Sequence, residues 1–274
     1  MKKILTRVGI VLGALIIIAL LLLGYLKKET TECRQGQGTV AIEACTMLVD
    51  HLPMEETKFT YLNLRRGHYA VAGIKQGELD DLAVLIKLGE SGRFAVQPDV
   101  MSSVYGRAAE VNYGLGSKDE ALKYADKAIQ LSSKEPGVYM LRAGARLADS
   151  KFADALTDLK AAEGLGYDKL QLYMELGTAY LGINDYNNAY ASLKKAEPLA
   201  SAPQDVGMVN RQLGLTSFEL KNYEESLSYM TKALLAGPCP DCSAVIKMSQ
   251  GFIDKARAPK VKPKPAPKKK KQRR

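Results

Sequence analysis

The sequence is poor in the residues that carry out most enzyme and metal chemistry. It has two histidines, four cysteines and no tryptophan in 274 residues. His51 and His68 are isolated from each other, and the sequence contains no G-x-S-x-G, Walker A or H-E-x-x-H pattern. It therefore offers no set of catalytic residues, metal ligands or cofactor contacts. We predict that the protein is not an enzyme and uses no cofactor.

Acidic residues are absent from the C-terminal end. Residues 255–274 contain 11 lysines or arginines and no acid, whereas the preceding 254 residues contain 28 basic and 30 acidic side chains. Residues 257–274 alternate proline with lysine and end in a basic block, so we predict a disordered basic tail. The candidate contacts to a polyanion are Lys268, Lys269, Lys270, Lys271, Arg273 and Arg274.

The partner of this tail is left open by its sequence. Its charge suits an anionic lipid or an anionic envelope polymer. No aromatic residue is interleaved for base stacking, which disfavours nucleic acid as a partner. The alternative is a solubilising tail without a fixed partner.

Charged residues are also missing from the whole of the run between Val8 and Leu26. As a helix this run would reach about 28 Å, close to the hydrocarbon thickness of a bilayer. A cleaved signal peptide is the rival interpretation, but its apolar core is shorter and ends in an A-x-A-like site. We therefore predict an uncleaved transmembrane anchor over residues 1–28 and a polar linker over residues 29–38.

The orientation of such an anchor follows from flanking charges and cysteines. Basic residues before the run favour a cytoplasmic N terminus, and those after it weaken the bias. Closely spaced cysteines suit an oxidising compartment; the two pairs are Cys33 with Cys45 and Cys239 with Cys242. We predict a single-pass protein of the inner (cytoplasmic) membrane with its body in the periplasm or another extracytoplasmic space. The alternative is a body that faces the cytoplasm.

The motif Cys239-Pro-Asp-Cys242 has three interpretations: a redox pair, half of a zinc site or a local disulfide. A redox pair usually belongs to a strand–helix pattern, and nothing in this sequence predicts a strand. A zinc site needs two further ligands, which the sequence hardly supplies. We favour a structural disulfide, and a second one between Cys33 and Cys45.

The middle of the chain aligns with itself at a period of about 34 residues. A slightly longer shift extends the alignment to Asn210, Gly214 and Ser226. The aligned positions are aromatic or small. They are Tyr105, Tyr139 and Tyr173, then Ala121, Ala155 and Ala189, and then Ala128, Ala162 and Ala196. Small residues at helical spacing allow neighbouring helices to approach closely, so the pattern predicts stacked helix pairs.

This period and its residues resemble the tetratricopeptide repeat, with tyrosine where that pattern has its first tryptophan. The best copy reads Tyr173-x2-Leu176-Gly177-x2-Tyr180 followed by Ala189-x3-Leu193-x2-Ala196. The resemblance covers about residues 39–240. It implies an all-α fold, an α-solenoid in which helix pairs form a right-handed superhelix. Residues 39–256 would contain a half-repeat at 39–54, about five repeats and a capping helix at 242–256.

In this repeat family, partners bind a concave groove lined by the first helix of each pair. The resemblance assigns the groove to Tyr113, Met140, Leu147, Met174, Thr178, Leu181, Met208, Arg211 and Phe218. Three of these are methionines that recur with the period of the repeat, and methionine suits surfaces that accept varied apolar partners. The alternative is that the methionines pack between successive first helices.

These features together predict a membrane-anchored scaffold or adaptor. Its groove would bind another protein or peptide at the bacterial cell envelope, in assembly or secretion. The alternative is a tether at the envelope surface, in which the basic tail binds anionic lipid or wall polymer. The repeats would then act as a spacer or as an oligomerisation module.

Overall fold

The computed structural model describes residues 2–131 and 133–257, with side chains from Ile18 onwards. These residues form helices and no strand, which confirms the predicted all-α helical repeat. The α-helices are α1 (Lys2–Gln35), α2 (Gly38–His51), α3 (Glu55–Val71), α4 (Lys75–Glu90), α5 (Pro98–Gly114), α6 (Lys118–Gln130), α7 (Pro136–Ala148), α8 (Phe152–Gly164), α9 (Leu170–Gly182), α10 (Tyr186–Ala196), α11 (Pro203–Glu219), α12 (Tyr223–Ala236) and α13 (Cys242–Arg257). A short 3-10 helix, Glu197–Leu199, follows α10.

The helices group into two compact units. The first unit ends at Tyr167 and contains α1 to α8, and the second begins at Asp168 and contains α9 to α13. Within the first unit the helix pairs are α3 with α4, α5 with α6, and α7 with α8. Within the second they are α9 with α10 and α11 with α12, and α13 packs on α12.

The turn inside each helix pair repeats with the period of the sequence. The pair α3–α4 has a residue with left-handed backbone at Gly73. In the four pairs from α5 to α12 such a residue likewise follows the first helix, at Gly116, Ser150, Asn184 and Lys221. The next residue donates its N–H to the carbonyl five residues back, as Asp185 does to Tyr180 at 2.9 Å. This hydrogen bond is that of the Schellman motif, which satisfies the last carbonyls of a helix. From Gly116 onwards, the first two steps between these turns are equal and the third is longer, so the longer shift in the sequence is a true insertion.

The core between helices is built on small side chains. The alanines of the repeating columns are buried in both units, for example Ala121, Ala155 and Ala189 at 0% exposure. At Gly177 an added Cβ would lie 2.7 Å from Leu193, closer than real carbon contacts. Glycine there allows the first and second helices of this pair to touch.

The prediction of a transmembrane anchor is wrong, and so is the predicted membrane localisation. Within the part of the chain that the structure describes, no helix is long and apolar enough to cross a membrane. The predicted orientation and membrane contact depended on that span.

The predicted linker over residues 29–38 is replaced largely by helix. Residues 29–35 are the last turns of α1, and α2 begins shortly afterwards at Gly38. Thr30 donates its hydroxyl hydrogen to the carbonyl of Leu26 at 2.7 Å, which supports the helix locally. Cys33 is fully buried and is joined to Cys45 by a disulfide with a Cα–Cα distance of 4.8 Å. Burial of this face explains why a polar stretch is helical.

The C-terminal helix α13 agrees closely with the predicted capping helix. Its Phe252 stacks on Tyr223 with ring centroids 4.6 Å apart, and Phe218 meets both rings edge-on. The turn before α13 contains the second disulfide, Cys239–Cys242. Residues 258–274, and with them every basic residue predicted to contact a polyanion, lie outside the described residues.

Candidate binding cleft

A cleft of 510 Å³ lies beside α11 in the second unit. We refer to it as the α11 cleft. Its walls come from the first turns of α11, the last turn of α12 and the loop that follows. The lining residues are Pro203, Gln204, Gly207, Met208, Arg211, Ala233, Ala236, Gly237, Pro238 and Cys239.

The local sequence explains why this space is open. Pro203 begins α11, where a missing N–H costs nothing, and Gly207 one turn later has no side chain to fill the space. On α12 the facing residues are alanines, of which Ala233 is buried. Met208 is 44% exposed, so its flexible side chain is available at the surface of the cleft. The cleft is therefore mainly apolar, with adaptable walls.

One charged pair borders the α11 cleft. Arg211 donates from Nε and Nη2 to the two carboxylate oxygens of Asp241, at 2.7 and 2.6 Å. These hydrogen bonds raise the pKa of Arg211 and hold the pKa of Asp241 below its usual value. The pair fixes the guanidinium at the edge of the cleft. Its Nη1 has no partner among the described residues.

The structure brings only two of the predicted groove residues, Met208 and Arg211, into this cleft. Thr178 contacts α11 elsewhere, because Gln212 donates to its hydroxyl at 3.3 Å. Met174 is half-buried on α9. In the first unit, Met140 is buried at 4% exposure and therefore contributes to packing.

Four other predicted groove residues occupy equivalent places at the ends of first helices. The carbonyl of each accepts the hydrogen bond from the left-handed turn residue; they are Tyr113, Leu147, Leu181 and Phe218. Tyr113 is 48% exposed, whereas the leucines are half-buried. Phe218 packs in the aromatic cluster with α13. These residues therefore differ in exposure and do not form one continuous binding surface.

The methionine column does not share one structural position. Gly177 faces Leu193 in one pair and Gly214 faces Met230 in the next, so the two glycines occupy equivalent positions. Their separation in sequence is longer than one regular period. When Gly177 is aligned with Gly214, Met174 aligns with Arg211. Met208, one regular period after Met174, lies one turn earlier on its helix. The insertion before α11 therefore moves Met208 to the first turns, where the cleft opens.

The sequence pattern did not reveal the buried ion pairs of the first unit. Arg65 on α3 donates twice to Asp81 on α4, at 3.0 and 2.6 Å. Arg142 on α7 contacts Asp158 on α8 in the same way, at 2.9 and 2.7 Å. The sequence separation is 16 in both pairs, and this recurring spacing is the signal that could have identified them.

One group in the described part of the chain has the spacing of metal ligands: Cys239, Asp241 and Cys242. The two sulfurs are joined in a disulfide, and the carboxylate is bound to Arg211. These atoms are therefore committed to structural bonds, and the group holds the final turn rather than an ion.

Comparison with known proteins supports a tetratricopeptide-like fold. The family model described as "Tetratricopeptide repeat" matches residues 102–135 and 170–201. The first segment covers most of α5 and all of α6, and the second contains the pair α9–α10. The matches support the repeat assignment in one pair of each unit.

One curated relative is DnaJ homolog subfamily C member 3 of Homo sapiens. It is 23% identical over 184 residues, which cover 63% of this chain and 35% of the relative. The chain thus spans about a third of the length of that relative. We therefore carry over none of the relative's activity.

Two solved structures show the same fold. YrrB, a TPR protein with an unusual peptide-binding site, aligns with a TM-score of 0.59 at 15% identity, over 76% of this chain and 100% of the other. MamA 41-end from Desulfovibrio magneticus RS-1 aligns with a TM-score of 0.51 at 17% identity, over 65% and 94% of the two chains. At these identities the likeness concerns the fold alone.

Proposed function

We propose that this protein is a non-enzymatic scaffold that binds another protein by taking a short apolar segment of it into the α11 cleft. The observation that carries the proposal is the open cleft beside the exposed Met208. A tetratricopeptide-like fold presents such surfaces for protein–protein contact. The peptide-binding site of YrrB is a precedent within the same fold.

The chemistry of the cleft suits one apolar side chain and one polar contact. Small alanines and two prolines leave room, and Met208 can adjust to the shape of the ligand. Binding sites of this kind combine an apolar lining with a few fixed polar groups. Arg211 provides such a group, because its position is set by Asp241 while Nη1 remains available for a partner carbonyl.

Filling the cleft tests the proposal. In Gly207→Leu the new side chain would enter the space, since the Cβ meets Ala236 at an ordinary 3.5 Å. The change also replaces a helical glycine, so stability should hold or rise by about 0.5–1 kcal/mol. We expect the variant to lose at least tenfold of its affinity for proteins that the wild-type chain captures from native extract.

Gly251→Leu is the matched control. Gly251 lies on α13, outside the cleft lining, and no atom lies within 4 Å of its added Cβ. This variant should retain the captured proteins. If Gly207→Leu folds and still captures every one of them, the α11 cleft is not the binding site.

A further inference from the structure

The disulfide Cys239–Cys242 lies where the α11 cleft meets the start of α13. Cys239 lines the cleft and keeps 9% exposure, whereas Cys242 is fully buried and is the first residue of α13. Reactive cysteine pairs typically combine a helix that begins at one cysteine with an accessible sulfur on the other. Both features are present here without the strand that the sequence lacked. The bond that holds this turn is therefore also open to attack from the cleft.

The other disulfide of the described chain has neither feature. Cys33 and Cys45 are both fully buried. Cys33 lies in the last turn of α1 and Cys45 lies inside α2, where it packs in a core cluster with Leu48 and Tyr61. A dissolved thiol must open this core to reach either sulfur, because exchange requires direct access to the disulfide. The two disulfides thus provide a comparison within one chain.

The charges around Cys239 are balanced in a way that permits an incoming thiolate. Oδ1 of Asp241 lies 3.6 Å from Sγ of Cys239, but both oxygens of that carboxylate accept hydrogen bonds from Arg211. The guanidinium of Arg211 also lines the cleft. An anion that enters the cleft therefore meets a positive charge beside a carboxylate that is already paired.

The position of Cys242 favours it as the leaving group. It begins a helix of 16 residues, and the N-terminal end of a helix stabilises a negative charge such as a thiolate. Burial opposes a lasting charge on Cys242, so the thiolate takes up a proton after it leaves. Attack at Cys239 with departure of Cys242 is the direction that accessibility and the helix both support.

We infer that the Cys239–Cys242 disulfide exchanges with the thiols of a protein segment held in the α11 cleft, and that this segment carries two cysteines beside a large apolar side chain. The apolar side chain occupies the space next to Met208, which brings a neighbouring thiol to Cys239. The inference rests on the proposed function, because the α11 cleft delivers the segment.

The exchange takes place in two steps. First, a thiolate of the segment attacks Sγ of Cys239; a bond forms between these two sulfurs, and the Cys239–Cys242 bond breaks with its electron pair on Cys242. Second, the other thiolate of the segment attacks the first sulfur of the segment, and Cys239 leaves. The segment is oxidised to a disulfide, and the protein is reduced to two thiols that hold the two protons. A more oxidising disulfide compound restores the protein by the reverse exchange.

Dithiothreitol, a small dithiol, tests the access to each disulfide without any partner. The oxidised full chain is exposed to it in the absence of denaturant, alkylated at intervals and mapped by mass spectrometry. We expect Cys239–Cys242 to open at least tenfold faster than Cys33–Cys45, because only the former has a sulfur at a cavity. Equal rates, or faster opening of Cys33–Cys45, would overturn the inference.

Two reduced peptides test the delivery of thiols by the cleft. Both contain the same pair of cysteines, flanked by leucine and phenylalanine in one peptide and by serines in the other. The wild-type chain should oxidise the apolar peptide at least tenfold faster than the serine peptide. Gly207→Leu should abolish this preference because it fills the cleft, and Gly251→Leu should keep it. A wild-type chain that oxidises both peptides at the same rate would contradict the inference.

Two variants that lose the same bond identify the attacked sulfur. Cys242→Ser leaves Cys239 as a thiol at the cleft, whereas Cys239→Ser leaves Cys242 in the core. Each variant is mixed with an apolar peptide whose single cysteine is joined by a disulfide to a coloured aromatic thiol, and release of that thiol is followed. Cys242→Ser should react at least tenfold faster. Equal rates in the two folded variants would exclude attack at Cys239.

The outcomes separate this inference from the proposed function. If Gly207→Leu loses the captured proteins while the wild-type chain shows no preference between the peptides, the cleft binds proteins without exchanging thiols, and only the exchange is rejected. If Gly207→Leu retains both the captured proteins and the preference for the apolar peptide, the α11 cleft is not the binding site, and both proposals are rejected.

Discussion

The two units join their helix pairs by different means. In the first unit, an arginine on each first helix closes on a nearly buried carboxylate. The acceptors are Asp81, Glu78 and Asp158, with 1–3% of their side chains exposed. In the second unit Arg211 on α11 instead contacts Asp241 in the turn before α13, and the two side chains are 43% and 35% exposed. A charge in the first unit is therefore costly to leave unpaired, whereas one in the second unit can be hydrated.

The second unit relies instead on close packing. Gly177 and Gly214 occupy the position that alanine holds in the first unit at Ala109 and Ala143. Without a Cβ, these glycines admit Leu193 and Met230 from the facing helices. The difference shows that one repeat pattern can be held together either by buried ion pairs or by steric fit. Ion pairs demand a specific partner, while packing demands a specific shape.

The largest difference should appear when one carboxylate of the first unit is removed. Asp158 binds both Arg142 and Arg146. Asp158→Ala therefore leaves Arg142 with the exposed Asp126 alone and Arg146 with the carbonyl of Asp154. We expect a loss of about 3–5 kcal/mol in the free energy of unfolding. Urea denaturation followed by circular dichroism measures it, and hydrogen exchange should place the loss in α7 and α8. A loss below about 1 kcal/mol would contradict the distinction between the units.

The difference in packing between the units predicts a smaller loss in the free energy of unfolding, of about 1–3 kcal/mol. Gly177→Ala puts a Cβ 2.7 Å from Leu193, so the helices must separate or the leucine must leave its preferred rotamer. The aligned change in the first unit runs in the opposite direction: Ala143→Gly removes a buried methyl and should cost about 1 kcal/mol. Melting curves of both variants test this contrast. A stabilised Gly177→Ala protein would mean that this glycine is not required by packing.

The smallest effect on stability should come from the exposed ion pair of Arg211 and Asp241. Arg211 lowers the pKa of Asp241, so the carboxylate contributes stability above its unfolded pKa and loses it as pH falls through the folded value. The pH range over which this stability is lost extends downwards from 3.8, the ordinary pKa of an aspartate. Asp241→Asn should cost at most about 1 kcal/mol at neutral pH. Unfolding measured at neutral pH and in this acidic window should show the difference shrinking; a constant difference would contradict the assignment.

Much of the fold could be predicted from local periodicity. The helix expected in the half-repeat at residues 39–54 is α2 (Gly38–His51), and the capping helix expected over 242–256 is α13 (Cys242–Arg257). The anchor prediction failed because it rested on the length of an uncharged run. Likewise, the polar composition of residues 29–38 concealed a helix held by Cys33.

The candidate sites were less predictable, because they depend on residues that are distant in sequence. The regular repeat period placed the three methionines in one column, but the insertion before α11 shifted Met208 by one turn. The α11 cleft also needs the loop at Gly237 and Pro238, which is separated from Met208 by the rest of α11 and the whole of α12. No periodic pattern in the sequence indicates that these two segments lie side by side.

Local sequence is enough to specify the helix pairs, their columns of small residues and the turns between them. These features depend on residues within one or two helical turns, where backbone geometry fixes what is adjacent. The packing of helices against one another sets which carboxylate each arginine contacts, which methionine is buried and where space remains open. Such outcomes depend on how separate helices pack, and a single methyl group or a short insertion is enough to change them.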